Sequence, residues 1–415
     1  MPMPPRSEAP GAIPLVLAAE VTGLWERHEL TVVTVVGDEA EARAVAELNA
    51  SGVEVYAVDR RATRGVARWR RRGRMAIAWA RGPFPWRTIW FAEPEVQAII
   101  DRLTATNPYD VAAVDDSAMG GYSFPAGLAR VLTEHEVIQP QRRTSRPAAL
   151  RGWATWAVRE VDRRRFPTFQ RMMWRRFDRV QVFTEGDAAE IAALAPDVSE
   201  HVRVNPFGIV LPAPDDGGSE EPGRLLFVGN FTHPPNRDAA RWLVGELMPA
   251  LRARYPTARL TVVGSPVPVD LAAESGAEVE FVGDVPFVRP YLERACVVVA
   301  PVRLGGGMRM KVLQALAHGK AVVTTSLGAE GLLFGCMRSF SIADDAEEFS
   351  IAAAALLSDV GLRRELGRRA RDDVSTYHSP EAWAGRLQAI YEEAVTVRLR
   401  ASAAGSRPLP CRRAR

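Results

Sequence analysis

The chain has 415 residues, is 47% hydrophobic and carries a formal net charge of +3 at pH 7. Because domains have about 150 residues each, this length predicts two or three domains, each with its own core. Three widely spaced cysteines, with no CxxC pair or His/Cys cluster, argue against a disulfide framework or a zinc site and favour a reducing cytoplasm. No apolar run approaches the roughly 18 residues of a membrane-spanning helix.

The first 212 residues alternate short apolar runs with helical patterns, which predicts an amino-terminal Rossmann-like domain. The predicted helices are 14–26, 39–50, 94–106 and 186–194, and the predicted strands lie within ELTVVTVV, VEVYAV, YDVAAVD, RVLTEHEV and RVQVFTE. Such a half normally begins with a buried central strand, but here the first segment is the loop-like MPPRSEAPGAIP. We predict that the given start lies downstream of a missing first strand. A sheet built without that strand is the alternative.

An arginine-rich segment, residues 60–87, contains ten arginines and no acidic residue, interspersed with Trp69, Trp79 and Trp86. A second cluster, residues 142–179, again mixes arginine with aromatic side chains. Arginine beside interfacial aromatics suits an anionic membrane surface, and it also suits single-stranded nucleic acid. Ordinary solvated helix faces are the third interpretation. Because no nucleic-acid-binding module accompanies the charge, no nucleic-acid partner is expected.

A polar, turn-rich stretch at residues 213–223 predicts a linker, beyond which strands and helices alternate regularly. The strands lie within RLLFVGN, RLTVVGS, VEFVGDV, CVVVAPV and AVVTTS, with a helix predicted over 236–254. Continuous apolar strands predict a parallel sheet covered on both faces. The predicted fold class is therefore α/β, with two doubly wound Rossmann-like domains, 1–212 and 213–378. A helix over 379–400 should return to the first domain, followed by a disordered basic tail over 401–415.

Two lysines occur among the 53 lysine and arginine residues, and both lie in the glycine-rich segment LGGGMRMKVLQALAHGK. A lysine retained in an arginine-biased chain suggests a position where a compact ammonium matters. Lys311 follows a triple glycine and starts a helical pattern, which is the setting of an anion bound at a helix N-terminus. Lys320 is expected to be a cation near a helix C-terminus. A diphosphate site is predicted from Lys311, Arg309 and the backbone N–H groups of three glycines, Gly305, Gly306 and Gly307.

The carboxy-terminal half resembles the nucleotide-sugar half of glycosyltransferase family 4 (glycosyl transferases group 1), which has the GT-B fold. The resemblance covers residues 225–332 and rests on FVGNFTHPPNRDAARWLVGELMPAL, LTVVGS, FVGDV and APVRLGGGMRMKVLQALAHGKAVVTTSLGAEGL in that order and spacing. The amino-terminal half is similar only in organisation. The resemblance implies transfer of a sugar from a nucleotide diphosphate donor, with retention of anomeric configuration and without a bound metal or other cofactor.

The same resemblance implies roles for individual residues. Arg309 and Lys311 would contact the diphosphate, with Gly229 and Asn230 near the phosphates and the loop from Gly283 to Val285 near the base. His233 and Asn236 match a signature that opens the first helix of this half. A helix N-cap is the structural alternative for Asn236.

Two positions depart from the family pattern, which often has two glutamates separated by seven residues. Gly306 and Gln314 stand there instead, and the neutral amide of Gln314 makes weaker hydrogen bonds to ribose than a carboxylate would. Glu330, on the loop after AVVTTS, could replace part of the missing charge, or could be a surface turn residue. In the other half, His135 at the end of RVLTEHEV resembles the histidine that touches the donor sugar.

These features predict a cytoplasmic hexosyltransferase that acts on a glycan, a lipid-linked or a small-molecule acceptor, at the inner face of the membrane in cell-envelope polysaccharide biosynthesis. We predict catalytic roles for His135, Arg309 and Lys311. A nucleotide-sugar epimerase and a non-catalytic nucleotide-sugar-binding protein of GT-B fold are the alternatives. The donor sugar, its base and the acceptor are not fixed by the sequence.

Overall fold

The computed structural model describes residues 1–6, 12–62, 65–135, 137, 153–213, 220–336 and 338–405. Residues 214–219 of the predicted linker, 406–415 of the predicted tail and 142–152 of the second arginine cluster lie outside the described residues. The chain divides into two compact units. Unit 1 comprises residues 1–4, 29–205 and 385–415, and unit 2 comprises residues 5–28 and 206–384.

The secondary structure alternates strands with helices in both units. The helices are α1 (Ala12–Trp25), α2 (Glu39–Ala50), α3 (Gly65–Arg81), α4 (Trp86–Phe91), α5 (Pro94–Thr106), α6 (Trp153–Trp174), α7 (Glu185–Leu194), α8 (Pro234–Trp242), α9 (Met248–Arg254), α10 (Val269–Ala272), α11 (Arg289–Arg294), α12 (Met310–Ala317), α13 (Ala346–Ser358), α14 (Val360–Tyr377) and α15 (Pro380–Gly405). The strands are β1 (Thr31–Val36), β2 (Glu54–Asp59), β3 (Val111–Asp115), β4 (Ala129–Thr133), β5 (Arg179–Val182), β6 (Val202–Val204), β7 (Arg224–Val228), β8 (Arg259–Val263), β9 (Val279–Gly283), β10 (Val297–Ala300), β11 (Ala321–Thr324) and β12 (Ser341–Ile342).

In unit 1, β1 pairs with β2, and a second sheet has the order β3-β4-β5-β6; all of these pairings are parallel. Val114, Leu132 and Val180 from three neighbouring strands bury their side chains in one core, together with Trp174 of α6. The strands predicted from the apolar runs are present, and among the described residues no strand precedes α1. Parallel pairing needs a crossover connection, and the crossovers contain α2, α6 and α7, or a loop with a 3₁₀ turn between β3 and β4.

In unit 2, one six-stranded sheet has the order β12-β11-β10-β7-β8-β9, and all its pairings are parallel. Every residue of β10 and β11 is buried, as the continuous apolar runs predicted for a sheet covered on both faces. The chain progresses from β7 to β8 and β9 on one side, and returns to β7 on the other side with β10. The strand order therefore reverses between β7 and β10, where ligands bind in sheets of this kind.

Two segments differ from the domain limits predicted from the sequence. Residues 5–28, assigned from the sequence to the first domain, cluster with unit 2, where Leu15 and Leu17 of α1 are buried. The last helix extends to Gly405, past Ala401, where disorder was predicted. From Gly385 onwards it belongs to unit 1, and its Ile390 and Ala394 pack against β4.

The predicted α/β class with two Rossmann-like parallel-sheet domains is confirmed. Among the helices of the described residues, none is long and apolar enough to cross a membrane.

Candidate functional site

Two loops of unit 2 follow the strands between which the strand order reverses. The loop after β7 runs from Gly229 to His233 and leads into α8, and the loop after β10 runs from Pro301 to Arg309 and leads into α12. β7 and β10 are neighbours in the sheet, so both loops start at the same edge. The glycine-rich segment of the sequence thus lies where a parallel sheet binds ligands.

Lys311, in the first turn of α12, connects the two helices that follow these loops. Its Nζ donates a hydrogen bond to Oδ1 of Asn236 and lies 4.8 Å from the ring centroid of Phe227, at the end of β7. Nδ2 of Asn236 in turn donates to the carbonyl oxygen of Asn230 at 2.7 Å. The two halves of the predicted diphosphate site, which are 75 residues apart in the chain, are therefore in direct contact.

Burial, and next the nearby positive charge of Arg309, together lower the pKa of Lys311 from 10.5 to about 7. Burial acts in this direction because an ammonium loses its hydration in an apolar environment. Near neutral pH this lysine is therefore divided between its charged and neutral forms. An anion placed beside it would favour the charged form.

Arg309 shapes the glycine-rich loop. Its Nη1 donates to the carbonyl oxygen of Gly306 at 2.8 Å, and its Nη2 donates to that of Gly305 at 2.7 Å. Gly305 has a φ of 87°, which favours glycine, and a Cβ there would lie 3.0 Å from Cγ of Pro235. The guanidinium predicted to bind a diphosphate is thus engaged by backbone carbonyls that a ligand would have to displace.

The predicted N-cap role of Asn236 is wrong. His233 holds the N-cap position of α8, and Asn236 lies in the first turn of that helix. Two prolines follow His233, and proline is favoured at the start of a helix because its missing N–H has no partner there. Asn236 uses its amide to connect Asn230 with Lys311 instead.

Gly229 and Asn230 lie beside this connection. A Cβ on Gly229 would lie 3.1 Å from the side chain of Asn236, so a larger residue there would press against that side chain. Oδ1 of Asn230 accepts from the backbone N–H of Thr232 at 2.8 Å and from its hydroxyl at 2.6 Å. The side chain of Asn230 therefore closes the turn that precedes α8.

The remaining predicted donor residues lie around this centre. Gln314 follows Lys311 by three positions on α12, so both project from the same face of the helix. Glu330 is partly exposed after a short 3₁₀ turn that follows β11. Gly283 ends β9 with a φ of 85°. Val285 lies two residues further along, in the loop after β9, which is an edge strand of the sheet.

Lys320 was predicted to be a cation near a helix end, and the structure gives it a more specific position. It is 4% exposed, and its Nζ donates to the carbonyl oxygen of Glu293 at 3.0 Å and lies 3.7 Å from Oε1 of Glu220. Arg363 reaches the other carboxylate oxygen of Glu220 at 3.0 Å. Lys320 is part of a buried ionic network in the body of unit 2.

In unit 1, His135 lies two residues beyond β4. Its side chain is 6% exposed, its Nε2 is 3.9 Å from Oδ1 of Asp115, and its ring packs 5.5 Å from that of Phe183. Among the described residues, no hydrogen-bond partner is found for this Nε2. The predicted strand-end position of His135 is present.

Two acidic residues at the same sheet edge stand out only in the structure. Asp116 has a φ of 72°, unusual for a residue other than glycine, and forms an ion pair with Arg87. Glu134 is buried and accepts from Nε1 of Trp174 at 2.9 Å. Burial, and next the charge of Asp116, raise the pKa of Glu134 to about 8. Oδ1 of Asp116 also accepts from the backbone N–H of Ala118 at 2.9 Å, which caps the short 3₁₀ turn after β3.

Within the part of the chain that the structure describes, no group of three or more His, Cys, Asp and Glu residues is placed to hold a metal ion.

Comparisons with known proteins agree with this architecture. Residues 222–359 match the family model of Glycosyl transferases group 1, and this range contains the two loops and α12. Sucrose-phosphate synthase from Thermosynechococcus elongatus has a similar structure, with a TM-score of 0.60, 16% identity and coverage of 93% of this chain and 94% of the other. HepE from Anabaena, in complex with UDP and glucose, has a TM-score of 0.61, 12% identity and coverage of 94% and 98%.

TarM is also similar, with a TM-score of 0.53 and 12% identity. The match covers 71% of this chain and 58% of TarM. No significant relative was found among curated protein sequences. At these identities the structural likeness establishes the fold alone, and the predicted GT-B fold is confirmed. The resemblance to glycosyl transferases group 1 is likewise confirmed over the matched residues of unit 2. Assignment to family 4 stays a prediction.

Proposed function

We propose that this chain, a GT-B protein with a glycosyl transferases group 1 segment, is a glycosyltransferase that binds a nucleotide diphosphate sugar at the loops after β7 and β10. The observation that carries the proposal is the contact between Lys311 and Asn236. It brings a partly buried cation to the edge of the sheet where the strand order reverses, beside a glycine-rich loop. The match of residues 222–359 to the family model supports sugar transfer as the activity.

In the proposed reaction, the diphosphate raises the pKa of Lys311, and the resulting ammonium stabilises the negative charge of the leaving group. Backbone N–H groups of residues 305–307 can approach the phosphates because no side chain intervenes. Arg309 adds a second cation once a phosphate oxygen replaces the backbone carbonyls on its guanidinium. The bond from the anomeric carbon to the diphosphate oxygen breaks, and the bond to the acceptor oxygen forms.

We further propose that transfer proceeds with retention and without a metal, and that the acceptor proton passes to the departing phosphate oxygen. Gln314 would hydrogen-bond the ribose from the same helix face as Lys311. Glu330 would provide a second hydrogen-bond acceptor for the ribose hydroxyls. Gly283 and Val285 would lie near the base, and His135 would contact the donor sugar. A hexose is the proposed sugar.

For the acceptor we propose a glycan, a lipid-linked saccharide or a small hydroxyl compound. The proposed location is the cytoplasm and the inner face of the membrane, in the synthesis of cell-envelope polysaccharide. The arginine-rich and tryptophan-rich composition of unit 1 supports this location.

A thermal-shift panel of UDP, GDP, ADP and their sugars tests the donor site, because a ligand that binds only the folded state raises the unfolding temperature. We expect one nucleotide to raise it in the natural protein and to have much less effect in Lys311→Met. The matching sugar nucleotide is then incubated with and without candidate acceptors. A new glycosidic product supports the proposal. Conversion of the donor alone into its epimer would contradict it, and binding without any turnover would favour a non-catalytic protein.

A further inference from the structure

Helix α3 (Gly65–Arg81) is attached to unit 1 by one face. Arg71, Met75 and Trp79, spaced four residues apart, form this face. Met75 is 5% exposed, Arg71 forms an ion pair with Glu93, and Nε1 of Trp79 donates to Oδ1 of Asp162 at 2.8 Å. The guanidinium of Arg165 lies 5.2 Å from the Trp79 ring centroid. The orientation of α3 about its own axis is therefore fixed.

The opposite face of α3 is exposed and apolar. Trp69 is 73% exposed and Ile77 is 54% exposed, although both are large hydrophobic side chains. They follow each other at a spacing of eight residues, and three small exposed residues complete the strip: Gly73, Ala76 and Ala80. This strip is named the α3 strip below. Large apolar residues grouped on one solvent-facing side mark an interaction surface more often than isolated ones do.

Arginines border the α3 strip. Arg70, Arg74 and Arg81 are exposed along one side, and Arg72 is exposed on the other, where its guanidinium lies 6.0 Å from the Trp69 ring centroid. No acidic residue occurs between residues 60 and 87, so the segment itself contains no carboxylate to neutralise them. Two further large hydrophobics close to α3 in sequence, Phe84 and Trp90, are each 38% exposed.

We infer that the α3 strip docks on a lipid bilayer that contains anionic phospholipids. A helix with an apolar face and arginines beside it lies in the plane of the interface, with Trp and Ile in the boundary of headgroups and acyl chains and the guanidiniums at the phosphates. Nucleic acid fits less well, because bases need aromatic stacking platforms and here Ile77, Ala76 and Ala80 occupy most of the strip. The inference gives the proposed function a surface and a lipid class, and it does not depend on sugar transfer.

Co-sedimentation of the full chain with vesicles tests this. Vesicles of phosphatidylcholine alone are compared with vesicles that also contain phosphatidylglycerol, and we expect binding only to the latter, weakened by added salt. The triple variant R70Q/R74Q/R81Q should lower the partition coefficient on the order of 100-fold, since each arginine near an anionic surface contributes about fivefold. Trp69→Ser with Ile77→Ser should lower binding while leaving its salt dependence in place.

The matched control is R43Q/R364Q/R400Q, which removes the same charge from exposed positions on α2, α14 and α15. It should bind as the natural protein does. Equal loss in the control and in R70Q/R74Q/R81Q would overturn the inference, as would failure of the natural protein to bind anionic vesicles. Binding of single-stranded oligonucleotide in preference to vesicles, lost in the same triple variant, would overturn it in favour of nucleic acid. The nucleotide thermal shift is measured on every variant, so failure of the donor site is recognised separately.

Discussion

Lys311 donates a hydrogen bond to Asn236, and the other end of the same amide donates to the carbonyl oxygen of Asn230. This chain of contacts connects the start of α12 with the loop that precedes α8. An amide can serve both neighbours because it has a donor and an acceptor at opposite ends. The position of the cation is therefore fixed by the protein before any ligand binds, as electrostatic stabilisation of a leaving group requires.

Replacement of this cation should abolish most of the transfer. We expect Lys311→Met to remove about 2 to 4 kcal/mol of transition-state stabilisation and to lower the transfer rate accordingly. Folding should not suffer, because a partly buried ammonium whose pKa is lowered costs stability. The pKa of Lys311 is lowered from 10.5 to about 7, so this cost is complete below pH 7 and is relieved as the pH rises towards 10.5.

The measurement is initial rate and unfolding temperature for Lys311→Met at pH 6 and pH 9. The variant should gain stability relative to the natural protein at pH 6 and lose that advantage at pH 9. Exposed Arg364→Gln is the control for loss of one positive charge. Unchanged turnover in Lys311→Met would refute its role.

Nucleotide binding should take up protons. In the free protein the pKa of Lys311 is about 7, so at pH 8 the amine is mostly neutral. A bound diphosphate favours the ammonium and raises that pKa, so binding at pH 8 should consume up to about one proton. Calorimetric titration in two buffers of different ionisation enthalpy measures this uptake. Equal uptake by Lys311→Met would show that another group is responsible.

Asn236 offers a way to change the same proton uptake without touching the lysine. In Asn236→Asp, a carboxylate beside Lys311 should raise the pKa of the lysine, so that proton uptake at pH 8 nearly disappears. Nucleotide affinity should fall about tenfold or more, because the added negative charge opposes the diphosphate. The neutral variant Asn236→Leu is the comparison. It should lose about 1 to 3 kcal/mol of stability through the unpaired groups it leaves, yet retain the uptake.

The central strands β10 and β11 of unit 2 could be predicted from the sequence because they are fully buried and read as continuous apolar runs. Lys311 could be singled out because lysine is rare in this chain. The role of Asn236 could not be, because its partners, Asn230 and Lys311, are 6 and 75 residues away. Only pairing of β7 with β10 brings the latter close. A helix-start pattern alone favours the capping role that proved wrong.

The unusual backbone of Asp116 and the burial of Glu134 depend on tertiary packing in the same way. Asp116 gives no sequence signal beyond a pair of acidic residues at a strand end. Its φ of 72° occurs just after β3, where its N–H donates to the carbonyl oxygen of Thr133 at the end of β4 at 2.8 Å. Glu134 looks like an ordinary polar residue after a strand. Its contact with Trp174 joins residues 40 positions apart, which short-range patterns do not reveal.

Buried Glu134 should make the stability of the protein depend on pH. The pKa of its carboxyl is raised from 4.5 to about 8, so the folded state binds more protons than the unfolded state between these values. Its contribution to stability is therefore complete below pH 4.5 and declines as the pH rises to 8, by at most about 1.4 kcal/mol per unit. Glu134→Gln, which keeps an oxygen for Trp174, should flatten this decline in chemical denaturation curves. Exposed Glu47→Gln should leave it in place.

Gln314 stands where the family pattern often has a glutamate, on the same face of α12 as Lys311. If its amide contacts the ribose, Gln314→Glu should strengthen nucleotide diphosphate binding about tenfold, because hydrogen bonds to a charged acceptor are roughly twice as strong. A 2′,3′-dideoxynucleoside diphosphate lacks the hydroxyl donors, so its affinity should not increase in the variant. Calorimetric titration of both nucleotides against the natural protein and the variant measures the difference. An equal gain for both nucleotides, or a loss for both, would place the ribose away from this helix face.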